Sequence, residues 1–463
     1  MFRLIIFLVV AALLALGAHW IVEHPDVIHL EVQGQPLKIH HTVAIVAAIA
    51  IGAVVLYELF RVLRWLPERI RSSRQSSQKI RGLQELADGL VAVAAGDLGS
   101  AKAHHRTAEK LLPNTGAVTF LSAQTAQLEG KEDVAHLKFH QMLRTQDTEL
   151  LGLRGLLAQS MKTGDQKEAL ELARRAYRRN PSVPWVLTTL FELLARDEQW
   201  NEALGIVSEM GNRGVISDAE MKRRRAILYH MAAKKALAED RIDEALSQER
   251  KAVANGPAFV PAVVTAADLS VRQGRRRNAA KMIEDAWRVA PHPDLAKAFA
   301  RLEDKETPAQ RVQRFQFRLS GLQANNLETH VALADLALQA RDFDLARAEL
   351  EKAMSLEPTA RVYRMMADLE RAQGNAAKAQ DWLSRALDAP PDRAWICEDT
   401  NEVLSEWAPF GSGGRFDSVQ WAQPMRVATY MNADADSFLA GEAETVDVSP
   451  KPAQGTQGAP APA

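Results

Sequence analysis

Histidines, one cysteine, a glycine string and a run of cations are the residues here that could do chemistry. His136 and His140 stand four apart and would share one face of a helix, the spacing of two metal ligands, but no third ligand accompanies them. His104 and His105 adjoin and would diverge on a helix, while His24, His29, His40 and His41 crowd a short loop where a haem or metal contact competes with a plain solvated hairpin. Cys397 is the single cysteine, so an intramolecular disulfide and an all-cysteine metal site are both excluded. Gly411-Ser412-Gly413-Gly414 follows a proline turn and opens no helix, which argues against a phosphate cradle. Lys222, Arg223, Arg224 and Arg225 form a cationic run that could receive an acidic partner or simply face solvent. No Walker loop, GxGxxG, HExxH, GxSxG or CxxC occurs, and nothing assembles into a catalytic set.

The elements that would position these groups follow one ruler. Gly164 is followed by Ala169, Ala176 and Pro181, which reads as a turn, a helix with alanines on its packing face and a proline stop. The spacing returns from Gly96, Asp240, Gly274, Arg341 and Gly374, in weaker form from Gly130 (Ala135, Met142) and Glu198 (Ala203, Met210), and degenerately near Pro308. The starts lie mostly 33 or 34 residues apart, with one step of 42, and a period of about 34 is that of tetratricopeptide repeats. Each unit is a helix hairpin that must stack on its neighbours, and alanine at the crossing lets axes approach to about 8–10 Å. Leu170, Leu172 and Tyr177, or Leu345 and Leu350, fill the remaining space. First helices are expected at 115–129, 148–162, 183–195, 218–238, 258–272, 294–303, 326–340 and 360–372, the long one accounting for the step of 42. Hydrophobic content of 47% with only 6% aromatics suits alanine- and leucine-rich stacked helices better than a sheet core, and a net charge of -1 gives no pull toward nucleic acid.

The fold class that results is all-α: two N-terminal transmembrane helices, then a repeat solenoid of about nine helix pairs over 80–391. Leu4–Val22 and Val43–Phe60 are each long and apolar enough to span a bilayer, and the first could alternatively be a cleaved signal. Between them the loop 23–42 alternates as a small hairpin, Ile28, Leu30 and Val32 against Leu37 and Ile39. The segment 61–79 is basic, with Arg61, Arg64, Arg69, Arg71 and Arg74 beside Trp65 and Leu66, and suits contact with anionic lipid. The positive-inside rule then puts everything after Phe60 in the cytoplasm. Residues 392–440 make a small irregular knob with Trp395, Trp407 and Trp421, expected to pack together or against the last helix pair near Trp382. Residues 441–463 have no core-forming pattern and read as a disordered tail.

Two stretches carry a family resemblance. Gly82-Leu83-Gln84 through Gly89-Leu90-Val91-Ala92 to Gly96-Asp97, behind two spans and a basic exit, is similar to the N-terminal signature of the HemY family, inner-membrane tetratricopeptide proteins associated with haem biosynthesis. The resemblance implies a multi-pass protein of the bacterial inner membrane with its repeats in the cytoplasm. It further implies a non-enzymatic scaffold or regulator that gathers haem-biosynthesis enzymes in a late step of protohaem synthesis. An envelope-assembly adaptor coupling a membrane protease to lipid synthesis, or a carrier that binds haem directly, are the competing readings. Trp395-Ile396-Cys397 through Trp407 to Phe416 and Trp421 resembles a rubredoxin-like zinc knuckle. Of its four cysteine positions Thr400 fills one, the second pair aligns with Phe410 to Gly413, and only Cys397 remains, so no metal is expected.

Overall fold

The computed structural model describes residues 28–32, 35–39 and 41–425, with Ala12, Ala15, Leu16, His19 and Glu23 before them. The chain divides into two compact units, Met1–Ser217 and Asp218–Ala463. The first opens on an antiparallel hairpin, β1 (Ile28–Val32) and β2 (Gln35–Ile39), registered Ile28 to Ile39 and Val32 to Gln35. Helix α1 (His41–Ala94) then runs unbroken through the second expected span, the basic segment and the first helix of the first hairpin. Its partner is α2 (Leu98–Leu111). Three more hairpins follow: α3 (Gly116–Leu128) with α4 (Glu132–Met142), α5 (Glu149–Thr163) with α6 (Gln166–Arg179), and α7 (Pro184–Arg196) with α8 (Trp200–Asn212).

The second unit continues the pattern with α9 (Asp218–Ala238) and α10 (Ile242–Asn255), α11 (Val260–Arg272) and α12 (Arg276–Val289), α13 (Pro293–Ala300) and α14 (Pro308–Arg318). After a 3-10 turn at Ser320–Gln323 come α15 (Leu327–Gln339) and α16 (Phe343–Leu356), then α17 (Ala360–Ala372) and α18 (Ala376–Asp388). It closes with a three-stranded antiparallel sheet, β3 (Ala394–Cys397) between β4 (Val403–Leu404) and β5 (Val419–Ala422). The knob is therefore a small sheet rather than an irregular segment. Its strands are two to four residues long, too short for alternation to announce them.

The ruler has a backbone cause. Every recurrent start residue except Pro308 sits in the left-handed region: Gly96, Gly130, Gly164, Gly274 and Gly374 at φ 74–82°, and Glu198, Asp240 and Arg341 at 55–58°. That conformation ends the first helix and turns the chain into the second, so glycine is favoured and three other residues tolerate it. Asp97, Asp165 and Asp342 then cap the second helix by accepting from the backbone N–H three residues on. The alanines at both crossing positions are buried in hairpin after hairpin, Ala169 and Ala176, Ala245 and Ala252, Ala346 and Ala353 among them. In the last hairpin the pattern relaxes: Ala379 is buried but Ala386 half-exposed, because among the described residues no further repeat covers α18. The degenerate hairpin has no alanine pair. Val312, Phe315 and Leu319 stand there, α13 and α14 touch little, and Trp287 with Phe299 fills the space against Phe315.

Among the described residues no helix is long and apolar enough to cross a membrane. The first expected span falls almost wholly outside the described residues, as do the tail from 426 onward, His24 and His40. Of the basic segment, Arg61 is exposed and pairs with Glu58 at 3.0 Å, while the side chains of Arg64, Arg69, Arg71 and Arg74 lie outside the described residues.

Candidate functional site

In the second unit the first helices α9, α11, α13, α15 and α17 make one face. The cationic run sits on α9, whose first turn carries Asp218 and Glu220 as the helix dipole favours. Arg223 projects from it to Asp417 in the knob, donating from Nε and Nη2 to both carboxylate oxygens at 3.0 and 2.8 Å, and its guanidinium lies 5.0 Å from the Phe259 ring centre. Arg224 donates to Glu220 at 2.6 Å on the same helix, Arg225 is half-buried and Lys222 exposed. The four cations thus do not converge on one point. The acid that Arg223 meets belongs to the same chain, 194 residues away.

The knob reaches this face through its tryptophans. Trp407 is buried edge-on against Phe259 (4.8 Å) and His230 (5.7 Å). Trp395 and Trp421 meet each other at 5.2 Å and both lie against His292 of the α13 N-cap, at 5.3 and 4.2 Å. Asp392 accepts from the Arg361 backbone N–H at 2.8 Å and pairs with Arg364. Of the two arrangements expected, the tryptophans take the first and pack together; they do not pack near Trp382. Trp382 stacks on Tyr363 of its own hairpin instead, and the chain doubles back over three earlier repeats, where Phe259 and two buried histidines offer aromatic surface.

Cys397 is fully buried in the knob, and Gly411 crosses so close that a Cβ there would lie 2.5 Å from Sγ and 2.4 Å from Ser418 Oγ. Hydrogen bonds from the Thr400 side chain and the Gly413 backbone N–H outweigh burial and hold the thiol down at about 6. Around it, Thr400 Oγ1 and Ser412 Oγ stand 2.5 Å apart, and Gly411 N–H donates to Ser418 Oγ at 3.1 Å. One thiol among hydroxyls does not fit tetrahedral zinc. Gly411 lies close against the lone thiol, with hydrogen bonds among the hydroxyls around it.

A second set of residues went unread in the sequence. His104 and Glu85, His230 and Glu249, His330 and Glu349 each join the two helices of a hairpin through Nδ1, at 2.8, 2.8 and 2.6 Å. All three pairs are separated by 19 residues, a spacing that could have revealed them. Burial pushes His230 down to about 3 and Glu249 well above its ordinary range, so each group of this buried pair is driven toward its neutral form. At Glu349 burial also pushes upward, but hydrogen bonds from Lys352 and His330 outweigh it and keep the carboxyl low. His292 is likewise driven down by burial, to about 4.

Beyond the knob the face stays open. A groove of about 710 Å³ runs along α13, α15 and α17, floored by Ala296, Val331, Ala332 and Leu336. Asp335 stands exposed in it, hydrogen-bonded to Gln339 at 2.9 Å, with its carboxyl raised by the protein packed around it. A second hollow of about 620 Å³ lies over α12 and α14, edged by Arg276, Arg277, Lys281 and Arg314. In the first unit, His136 and His140 meet edge-on at 4.6 Å, and among the described residues no three His, Cys, Asp or Glu side chains converge as a metal site.

Stacked hairpins with left-handed starts and buried crossing alanines define a tetratricopeptide-repeat protein, and residues 327–359 match the tetratricopeptide repeat family model. Residues 27–130 match the model of the HemY protein N-terminus, so the chain joins a HemY N-terminal domain to these repeats, as the block from Gly82 to Asp97 suggested. It is similar to a probable magnetosome protein, Mms48, of Magnetospirillum gryphiswaldense, 23% identical over 359 residues that make 74% of this chain and 75% of that protein. Among solved structures it resembles a tetratricopeptide repeat protein from Parabacteroides merdae (20% identity, 52% of this chain and 93% of that one, TM-score 0.27). Yeast Tom70 is similar at 14% identity, over 70% of this chain and 90% of that one, with a TM-score of 0.28.

Proposed function

We propose that this chain is a membrane-anchored repeat scaffold that gathers protein partners, acting in a late step of protohaem synthesis. The observation that carries the scaffold reading is the open groove along α13, α15 and α17, with small apolar residues on its floor and charges of both signs on its walls. A surface of that kind takes a peptide segment rather than orienting a reaction. The anchor reading is supported by α1, where Val46, Ile51, Val54 and Val55 are each 54–67% exposed, an apolar surface that lipid would cover. The haem pathway rests on the family's name, and the enzymes of that pathway are the partners it suggests.

Two measurements test these parts separately. A reporter active only in the cytoplasm should work when fused after Ala463, and one active only in the periplasm should work when inserted at Gly34. Finding both positions on one side removes the two-span anchor. Affinity purification from detergent with mass spectrometry should return enzymes of haem synthesis; a membrane protease with lipid-synthesis enzymes instead would favour the adaptor reading.

A further inference from the structure

The face made by α9, α11 and α13 already holds a protein segment, the chain's own knob, and the chemistry of that contact is on display. One indole packs against Phe259 and His230, a carboxylate is gripped by two donor nitrogens of Arg223, and two more indoles lie against His292. The contact is also incompletely satisfied. The N–H groups of Trp407 and Trp421 are buried without a hydrogen-bond partner among the described residues, and so is Nε2 of His292. His292 Nδ1 accepts from the Asp294 backbone N–H at 3.1 Å, so the neutral ring carries its proton on Nε2. Trp421 and His292, with ring centres 4.2 Å apart, thus each bury an N–H that has no acceptor among the described residues, which costs stability. A segment that brought a tryptophan, a carboxylate and an additional acceptor oxygen would satisfy what the knob leaves unpaired.

We propose that this face is a docking surface for an acidic, tryptophan-bearing segment of a partner protein, and that the knob, residues 392–425, is its tethered occupant, displaced when such a segment binds. The proposal rests on the scaffold reading and adds to it the chemistry of one partner and a competition for one site. Arg223 is the discriminating residue. It holds Asp417 in the closed state and would hold the partner's carboxylate in the open one.

The test uses the full chain in detergent with two labelled unstructured peptides, one bearing tryptophan and aspartates among glycine and serine, the other bearing alanine and lysines in their place. Asp417→Arg should raise amide exchange at 226–231 and 259–263 and tighten binding of the acidic tryptophan peptide by about tenfold, the equivalent of ~1.4 kcal/mol. The double variant Arg223→Asp/Asp417→Arg should return exchange to the wild-type level, since the reversed pair re-forms the latch, and should bind the acidic peptide no more tightly than wild type, since Arg223 is gone. Arg223→Asp alone should raise exchange without tightening binding. Exchange unchanged in Asp417→Arg, equal binding of both peptides, or a double variant as open as the single one would each overturn the proposal. Partners that still co-purify with every variant would leave the scaffold reading standing while removing this one.

Discussion

The hairpins α9–α10 and α15–α16 use the same device and arrive at opposite chemistry. Each joins its helices through a histidine and a glutamate 19 residues apart, His230 with Glu249 and His330 with Glu349, at 2.8 and 2.6 Å. On α10, Glu249 is fully buried and driven toward its protonated form; on α16, Glu349 is reached by Lys352 and its carboxyl is kept low. What separates them is partly local: Lys352 stands one turn beyond Glu349 on its own helix, where Ala252 stands beyond Glu249. The rest is burial, complete at Glu249 and opposed at Glu349 by the hydrogen bonds from Lys352 and His330. The same polar pair thus takes a different charge according to how deeply it is buried and which cation reaches it.

The largest expected effect breaks the two hairpins at their crossings. Ala252 and Ala353 are both fully buried, and a tryptophan at either forces the axes apart, costing about 1–3 kcal/mol or more. The consequences should differ. Ala252 packs in the cluster that includes Phe259, Trp407 and Val419, so Ala252→Trp should release the knob and raise exchange in β3 and β5. Ala353 packs among Val331, Leu350, Val362 and Met366, so Ala353→Trp should loosen α15 to α17 and leave the knob protected. Equal exchange in the knob for both variants would mean the covered and open stretches are not distinct.

A smaller effect sharpens the contrast through pH. Glu249 binds a proton in the folded protein well above the ordinary value of 4.5, and His230 loses its own down to about 3, far below 6.5. Between those ordinary values the folded and unfolded forms of the pair each hold one proton, so stability is level. Above about 6.5 the unfolded pair holds none and the folded pair one, so stability falls as pH rises, by up to about 1.4 kcal/mol per unit. Below about 4.5 the unfolded pair holds two and stability falls again. Glu349 has a depressed value, so its contribution is complete above 4.5 and is lost as pH falls through its folded value. From pH 6.5 to 8.5, then, exchange at 226–252 should quicken while Glu349 adds no change at 327–353. Glu249→Gln, a neutral partner able to donate to or accept from His230 Nδ1, should abolish the first trend; if it instead weakens the hairpin at every pH, the pair is ionic.

The difference between these regions also marks where the sequence could be read. The crossing alanines and the start residues are local, repeated and forced by backbone geometry, so helix ends such as 218–238 and 360–372 emerge where the period put them. The His–Glu pairs share one spacing but occur in three hairpins, one of them with the order reversed, and three of twelve histidines in a long chain draw no attention without their partners. The knob's docking had no local signal at all. Arg223 drew notice as a cation seeking an acid, yet Asp417 lies 194 residues on, and the intervening repeats bring the two together only when stacked. Short strands such as Val403–Leu404 depend on that docking and have no pattern of their own.

The smallest effect concerns the turns that open the second helix of each compared hairpin, which both use a non-glycine residue in the left-handed region. Asp240 and Arg341 stand there at φ 58° and 57°, and both side chains are exposed, so backbone strain rather than lost contact governs their substitution. For an ordinary L-residue this conformation costs roughly 1–2 kcal/mol, and aspartate escapes part of that through local hydrogen bonding. Glycine removes the strain but adds unfolded-state freedom of roughly 0.5–1 kcal/mol. The balance gives Arg341→Gly a gain of a few tenths to about 1 kcal/mol, and Asp240→Gly close to none. Amide exchange at 327–353 should slow in the first variant, and exchange at 226–252 should stay unchanged in the second. If Arg341→Gly quickens exchange instead, its side chain contributes contacts that outweigh the strain, and the two turns are not equivalent joints of one repeat.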